Sequence, residues 1–512
     1  LLAAVAAVAA VLALAWVLLR VRTRLVRLPP PPDDIPARPP EATVLGRRFA
    51  AAVVGSGGAS GVLALPDPVE ALAARLRLIR TAEATIDIQY YIWRSDIAGG
   101  LLLGELLEAA ERGVRIRLLL DDNGIDGLDG ALGALDAHPL VAVRLFNPFR
   151  IRHPKPINYL GDFPRLNRRM HNKALIVDGT LAIVGGRNIG DEYFGATDGD
   201  LFADLDVIVA GPVSGDLSAD FARYWGSPSA WPAGAILPRR GAWSGEALRA
   251  RAAEARARAE AGPYRPALDP PSQPDRLTRP ETYDWVPITL VSDDPAKSLG
   301  RRGGRMADRL LALLEEPRSE LALVTPYFVP TKAGVAALVA LALRGVRVSI
   351  LTNSFEANNH RFVHAGYAPH RRALLEAGIQ LFETRRLWAT PPLRDRRRPG
   401  SLKSSGSALH AKTFAIDRRR LFVGSMNFDP RSIALNTELG VVIDDEGLSA
   451  RLMAQFDAAF PGQAFAVSLE GGRLWWTETG PGGRRFDSEP GMSAASRIFV
   501  GLLSRLPIDW LL

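Results

Sequence analysis

The apolar and polar positions of this chain fall into an order that occurs twice. Thr85–Trp93 (TIDIQYYIW) alternates and then turns fully apolar, as a strand entering a core does. Ahead of it, Val69–Thr81 spaces its apolar residues as an amphipathic helix with arginines on one face. Leu101–Glu111 reads as a second helix, Gly113 ends it, and Val114–Leu120 reads as the next strand. Strand, helix and strand in this order predict a right-handed parallel crossover. The order returns with Glu320–Phe328 as strand, Gly334–Leu343 as helix and Arg344–Leu351 (RGVRVSIL) echoing Arg112–Leu119 (RGVRIRLL). Further on, Asp204–Val209 (DLDVIV) matches Glu438–Ile443 (ELGVVI), and Ser218–Trp225 loosely matches Met453–Phe460. Ordered correspondences of this kind mark an internal duplication, which by itself says nothing about function.

The flanks show different patterns. Leu1–Leu19 (LLAAVAAVAAVLALAWVLL) has no charged side chain. As a helix it would span roughly 28 Å, about one hydrocarbon core. Arg20, Arg22, Arg24 and Arg27 come next, a placement that favours a retained span over a cleaved signal and a cytoplasmic location for the rest of the chain. Pro29–Pro40 (PPPPDDIPARPP) reads as a stiff spacer, Gly241–Gly262 as an Ala/Arg/Glu-rich helix and Pro263–Pro280 as a linker. Ser401–Ser407 (SLKSSGS) reads as flexible. Ser496–Leu512 is apolar with two arginines, and is expected to pack on the globule, with a membrane surface as the alternative. The expected division is a transmembrane anchor over 1–28, a Pro-rich linker over 29–45, repeats over 46–262 and 263–470, and a tail over 471–512.

With 512 residues, 47% hydrophobic and 23% charged, the chain is globular and long enough for two cores. It has no cysteine, which excludes disulfides, zinc–thiolate sites and thiol catalysis. A net charge of +8 suits an anionic partner, either nucleic acid or an acidic membrane.

The duplication carries chemistry. Met170–Asn188 reads MHNKALIVDGTLAIVGGRN and Leu409–Asn427 reads LHAKTFAIDRRRLFVGSMN. His171, Lys173, Asp178, Gly186 and Asn188 recur as His410, Lys412, Asp417, Ser425 and Asn427, each offset by 239 residues. In His-x-Lys on a strand both side chains share a face. Histidine attacks or donates a proton near neutral pH, lysine fixes a positive charge beside it, and asparagine adds neutral donors. Together they suit a phosphoryl centre whose charge is neutralised as it is attacked. One histidine serves as nucleophile and the other as acid for the leaving alcohol, so each half supplies half a site. Lysine is scarce here (Lys155, Lys173, Lys297, Lys332, Lys403 and Lys412), yet two of the few sit in these stretches. His360, His364 and His370 cluster in sequence, but no acidic or thiol partner recurs at ligand spacing, so no metal is expected.

The pattern HxK(x4)D(x6)G[GS]xN, present twice, resembles the paired HKD motif of the phospholipase D superfamily. The stretches YYIWRSDIAGG, LLLDDNG, RLFNPFR, LNRRMHNK, VGGRNIGDEYFG, VHAGYAPHR and GSMNFDPRSIALNTELG resemble bacterial cardiolipin synthases, most closely the C-type branch, over roughly residues 66–512. The resemblance implies an α/β fold of two tandem sandwich repeats, each a mixed sheet flanked by helices, packed with pseudo-two-fold symmetry behind an N-terminal transmembrane helix. It implies His171 as nucleophile and His410 as acid and base. Lys173, Lys412, Asn188, Asn427 and Ser425 would line the phosphate. Asp204 and Glu438 would orient the histidines, and Asp178 and Asp417 complete the HKD sets as expected structural supports. No cofactor is implied.

The implied reaction moves a phosphatidyl group from phosphatidylethanolamine or phosphatidylglycerol to phosphatidylglycerol through a phosphatidyl-histidine, at the bacterial inner membrane. C-type members are associated with a small accessory protein. The competing readings are a phospholipase D or nuclease that uses water as acceptor, and a non-catalytic protein that binds anionic membrane. Two intact motifs in one chain and a candidate anchor argue against nucleic acid as a partner.

Overall fold

The computed structural model describes residues 2–23, 39–195, 204–237, 244–269, 275–301, 306–358, 361–385, 409–458, 460 and 462–504, with the side chains of 2–10 outside that description. The expected flexible stretch 401–407, most of the Pro-rich spacer and the last residues of the tail lie outside the described residues.

Two mixed sheets form the scaffold. The first contains β1 (Ser60–Leu65), β2 (Thr85–Tyr90), β3 (Arg115–Asp121), β4 (Val141–Phe146), β5 (Ala174–Val177), β6 (Leu181–Gly185), β7 (Asp206–Ala210), β8 (Ala230–Pro232) and β9 (Asp284–Val286). The second contains β10 (Ile288–Ser292), β11 (Glu320–Val324), β12 (Arg347–Asn353), β13 (Gln380–Thr384), β14 (Thr413–Ile416), β15 (Arg420–Gly424), β16 (Leu439–Asp444), β17 (Ala464–Glu470), β18 (Arg473–Glu478) and β19 (Arg485–Phe486). Their orders are β8-β4-β3-β2-β5-β6-β7-β1-β9 and β10-β16-β15-β14-β11-β12-β13-β17-β18-β19. The blocks β4-β3-β2-β5-β6-β7 and β13-β12-β11-β14-β15-β16 are the same arrangement twice. Within each block three strands are parallel and the remainder antiparallel.

The parallel strands carry helices because their connections must cross over the sheet. Asp67 caps the Pro68–Thr81 helix by accepting from Glu70 N at 2.7 Å, and Ala71, Leu72, Leu76 and Ile79 point into the core. The Ile97–Glu111 helix is buried almost all round because the Gly245–Glu260 helix lies across it. That contact uses small residues: a Cβ on Gly104 would come 2.5 Å from Ala252 Cβ, and one on Gly100 would come 2.9 Å from Ala255 Cβ. The Ala/Arg-rich helix is therefore a packed layer of the first repeat, with its arginines outward.

The inner faces of both sheets share one apolar layer. Val184, Val207 and Val209 of the first repeat meet Ala415, Val423 and Val441 of the second there. The handover between sheets is later than the Pro-rich composition suggests. Ala267, Leu277 and Tyr283 are buried in the first core. β9 pairs with β1, and two residues on β10 pairs with β16, so the chain changes sheet at Pro287 rather than near 262. β18 and β19 likewise extend the second sheet, so residues 473–486 belong to it and not to a tail.

The expected span coincides with a helix, Leu2–Thr23. Among the described residues no helix is long and apolar enough to cross a membrane. The Ser496–Leu512 stretch begins inside a helix, Ala494–Leu503, that buries Val500 and Leu503 against Ala365.

Candidate active site

Each histidine introduces a β-hairpin. His171 and Lys173 lead into β5, and Asn188 comes after β6; His410, Lys412 and Asn427 stand in the same places around β14 and β15. The residue before each histidine is held from a parallel strand. Asp121, at the end of β3, accepts from Met170 N at 2.8 Å and from Arg169 Nε at 3.0 Å. Asn353, at the end of β12, donates to Leu409 O at 3.1 Å and accepts from Leu409 N at 3.3 Å. The two repeats also join by backbone here. His171 N donates to Thr437 O at 2.8 Å, and Thr437 N donates to Arg169 O at 3.0 Å.

The carboxylates cross between repeats. His171 Nδ1 is 2.8 Å from Glu438 Oε2, and His410 Nδ1 is 2.7 Å from Asp204 Oδ2. Each Nδ1 is thus engaged, leaving the Nε2 nitrogens for chemistry. The His410 side chain is 23% exposed and that of His171 is 9% exposed, so His410 has the wider access to solvent. Lys173 Nζ donates to His171 O at 2.6 Å, and Lys412 Nζ donates to His410 O and lies 3.2 Å from His410 Nδ1.

The two acids are accommodated differently. A Cβ on Gly186 would sit 2.2 Å from Asp204 Oδ1, so glycine makes room for that carboxylate. The corresponding Ser425 instead donates its hydroxyl to Glu438 Oε2 at 2.5 Å and accepts from Leu439 N at 3.0 Å. Ser425, expected at the phosphate, is placed instead as a partner of Glu438. Asn188 Oδ1 accepts from Ile92 N at 3.2 Å. Asn427 Oδ1 is buried and has no partner among the described residues.

Asp178 and Asp417 are not brought to this cluster. They lie at the hairpin turns, the far ends of β5 and β14, with φ of 51° and 50°. Asp178 accepts from the backbone N–H of Glu83, Ala84 and Thr85, and Asp417 from those of Arg318, Ser319 and Glu320. They fix the chain's path into β2 and β11 and touch no reacting atom. His364, one of the three histidines clustered in sequence, is buried with its Nε2 2.7 Å from Glu489 Oε1, while His360 lies outside the described residues. Among the described residues no group of three His, Cys, Asp or Glu could hold a metal ion.

Two tyrosines at the site carry no signal in the motif spacing. The Tyr91 ring meets His171 edge to face at 5.0 Å, and Tyr193 meets His410 at 5.1 Å. Both come from the first repeat, and both fall in stretches that carry the family resemblance, but spacing alone gives no sign of their contacts.

Burial dominates the electrostatics. It pushes His171 well below its ordinary value, and the Lys173 and Lys412 charges push the same way. His410 is pushed down to about 4 by burial and Lys412, against the pull of Asp204. Burial lowers Lys173 to about 7 and Lys412 to about 8, against the attraction of Asp204 and Glu438. It raises Glu438 to about 7, with Lys173 opposing. Burial also acts to raise Asp204, but His410 and Lys412 overcome it and hold that carboxylate below its ordinary range. Both imidazoles are therefore neutral near pH 7, beside two lysines whose charge suits an anion. The arrangement fits attack on a phosphodiester.

The family model described as "Cardiolipin synthase, PLD-like domain" matches residues 76–225 and 310–460, one match per repeat. The chain is 43% identical over 473 residues to cardiolipin synthase C of Escherichia coli (strain K12), covering 89% of this chain and 97% of that protein. It is 29% identical to cardiolipin synthase A of Pseudomonas syringae pv. syringae (strain B728a), covering 76% of this chain and 66% of that protein. Among solved structures, phosphatidylserine synthase of Haemophilus influenzae Rd KW20 matches with a TM-score of 0.58 at 14% identity, over 91% of this chain and 99% of that one, a likeness of fold.

Proposed function

The chain belongs to the cardiolipin synthase family with phospholipase D-like domains, and we propose from this that it is a phosphatidyltransferase of the C-type branch that makes cardiolipin. The carrying observation is the crossed pair of histidine–carboxylate contacts, His171–Glu438 and His410–Asp204, in one buried cluster with Lys173 and Lys412.

The proposed reaction has two displacements at one phosphorus. His171 Nε2 attacks the phosphorus of the donor phospholipid, and the bond to the headgroup oxygen breaks. His410 Nε2–H gives its proton to the departing alcohol. His410, otherwise neutral near pH 7, gains that proton as the anionic phosphate offsets the charges of Lys412 and Lys173. A primary hydroxyl of phosphatidylglycerol then attacks the phosphorus, passes its proton to His410 Nε2, and displaces His171. Lys173, Lys412, Asn188 and Asn427 line the phosphate oxygens and stabilise charge as it develops. Water as the final acceptor would give a phospholipase instead, a reading that the similarity to synthases disfavours.

The Leu1–Leu19 run with arginines directly after it supports a single N-terminal span with the catalytic part in the cytoplasm of a bacterial cell.

The test is a lipid assay. Purified protein is incubated with vesicles of phosphatidylglycerol, of phosphatidylethanolamine, and of both, and products are identified by mass spectrometry. Cardiolipin with release of ethanolamine only from the mixture is the expected C-type outcome. Cardiolipin from phosphatidylglycerol alone would keep the synthase and exclude the C-type branch. Phosphatidic acid without cardiolipin would overturn the transferase.

A further inference from the structure

An apolar face stands open beside the proposed lipid site. After β4 the chain forms the helical segment Tyr159–Leu166, broken at Asp162. Leu160 is 67% exposed and Phe163 39%, and Ile157 just ahead is exposed as well. All three are exposed apolar side chains of this one short segment. In the second repeat the Ala494–Leu503 helix exposes Ile498 at 67% and Leu502 at 57%, with Phe499 between them. Phe362, on the adjoining Arg361–Tyr367 helix, is half exposed. Apolar side chains gathered like this on a folded surface mark a contact with something non-aqueous.

Both patches lie at the end of the sheets where the parallel strands finish, which is the end that holds the histidines. Tyr159 Oη donates to Asn123 Oδ1 at 3.4 Å, and Asn123 Nδ2 donates to Tyr91 Oη at 3.3 Å. The Tyr91 ring in turn lies on His171. On the other side, Val500 and Leu503 pack with Phe355, two residues beyond the Asn353 that holds Leu409 beside His410.

The Leu2–Thr23 helix indicates what covers this face. Trp16 Nε1 donates to Leu160 O at 3.1 Å, and a Cβ on Gly161 would come 2.4 Å from Thr23 Oγ1 and 3.2 Å from Arg20 Cα. Along that helix Val11, Leu12, Leu14, Leu18 and Val21 remain exposed. Exposed apolar side chains from Val11 to Val21, beside an apolar surface segment, suit a bilayer as the covering medium. Exposed arginines at the edges (Arg20, Arg22, Arg150, Arg361 and Arg497) complement anionic headgroups.

The geometry points to Ile157, Leu160 and Phe163, together with Ile498, Phe499 and Leu502, as the surface on which the enzyme rests against an anionic bilayer, with the two histidines beside it. This rests on the proposed phosphatidyl transfer. It makes the donor headgroup reach His171 from the membrane surface, without extraction of the whole lipid into water.

Because the chain has no cysteine, single labels are clean. Leu160→Cys, Phe163→Cys and Phe499→Cys would each carry a nitroxide in the full chain, reconstituted in vesicles of phosphatidylglycerol and phosphatidylethanolamine. Leu343→Cys is the control: it is 79% exposed and ends the Thr331–Leu343 helix just before β12 starts, at the other end of the strands. The three labels should collide several-fold more with lipid-soluble oxygen than the control, and less with a water-soluble nickel chelate. Labels that match the control would overturn the proposal. Labels shielded from both reagents would also overturn it, since protein rather than lipid would then cover the face. The readout needs no turnover and is repeated in the His171→Asn background. Lipid-exposed labels without phosphatidyl transfer would sink the transferase and keep this surface; active enzyme with labels in water would do the reverse.

Discussion

His171 of the first repeat is held by Glu438 of the second, Nδ1 to Oε2 at 2.8 Å. The mirror contact joins His410 to Asp204 at 2.7 Å. The carboxylate at each Nδ1 thus comes from the other repeat, so the proposed site draws on both. Glu438→Gln keeps the shape but removes the charge that fixes the imidazole tautomer. We expect kcat to fall by about 10²- to 10⁴-fold with little change in KM, because orientation is lost and lipid binding is not. Steady-state kinetics on mixed vesicles measures this, and a KM effect alone would contradict the orienting role.

The two histidines should fail in different ways. His171→Asn and His410→Asn should each lose about 100-fold or more in turnover. Only His410→Asn keeps the nucleophile; with a donor ester whose leaving group needs no proton, the first displacement still proceeds while the second, lacking its base, stalls. A phosphatidyl adduct should then accumulate on the peptide containing His171, visible by mass spectrometry after rapid quench. An adduct on His410 in the His171→Asn protein would reverse the assignment, and a tenth of wild-type turnover in either would break the two-histidine mechanism.

Activity should depend on pH as a narrow bell. Glu438, raised to about 7 by burial, takes up a proton as the pH falls through that value and can no longer hold the His171 Nδ1 proton. Lys173, lowered to about 7, and Lys412, lowered to about 8, lose their charge as the pH rises. Hence kcat/KM should peak near 7, falling on the acid side as Glu438 is neutralised and on the basic side as first Lys173 and then Lys412 loses its charge. Lys173→Arg should move the start of the basic limb up toward about 8, where Lys412 titrates, since guanidinium stays charged. An unmoved basic limb would show that another group controls it.

Much of this is legible in the sequence because the repeated blocks obey local rules. Thr85–Tyr90 and Arg115–Asp121 read as strands from their apolar positions, and the 239-residue offset marks both hairpins without any knowledge of contacts. The features that are not legible depend on tertiary choice. Spacing within a repeat cannot say that Glu438 serves the other repeat's histidine. The Pro-rich run before β9 reads as a free linker, yet Leu277 and Tyr283 anchor it in the first core, and the sheet changes only at Pro287. Ser425 is expected at the phosphate from the family resemblance, while its hydroxyl reaches Glu438.

The aspartates of the two motifs should affect stability and not chemistry. Asp178 satisfies three backbone N–H groups at the entrance to β2. Asp178→Ala leaves them unpaired, and we expect a loss of about 1–3 kcal/mol in denaturant unfolding. The kcat of the folded fraction should be near wild type. A large fall in kcat without loss of stability would put this residue back in the reacting site.

The most demanding test exploits the difference between Gly186 with Asp204 and Ser425 with Glu438. A side chain at Gly186 meets the Asp204 carboxylate, with its Cβ 2.2 Å from Oδ1. Gly186→Ser should therefore displace Asp204 from His410 and lower kcat on the order of 100-fold, the cost of an ångström of misplacement. Asp204→Glu alone pushes a longer acid into a pocket shaped for a shorter one and should also lower kcat. The double variant Gly186→Ser with Asp204→Glu rebuilds in the first repeat the pair that works in the second, where the serine hydroxyl donates to the longer acid. If the repeats are equivalent frames around one site, the double variant should recover activity beyond either single one, a favourable coupling read from the double-mutant cycle. Additive losses would mean that Asp204 holds His410 in a geometry the second repeat does not share, and that the two halves have diverged in their roles as well as in their residues.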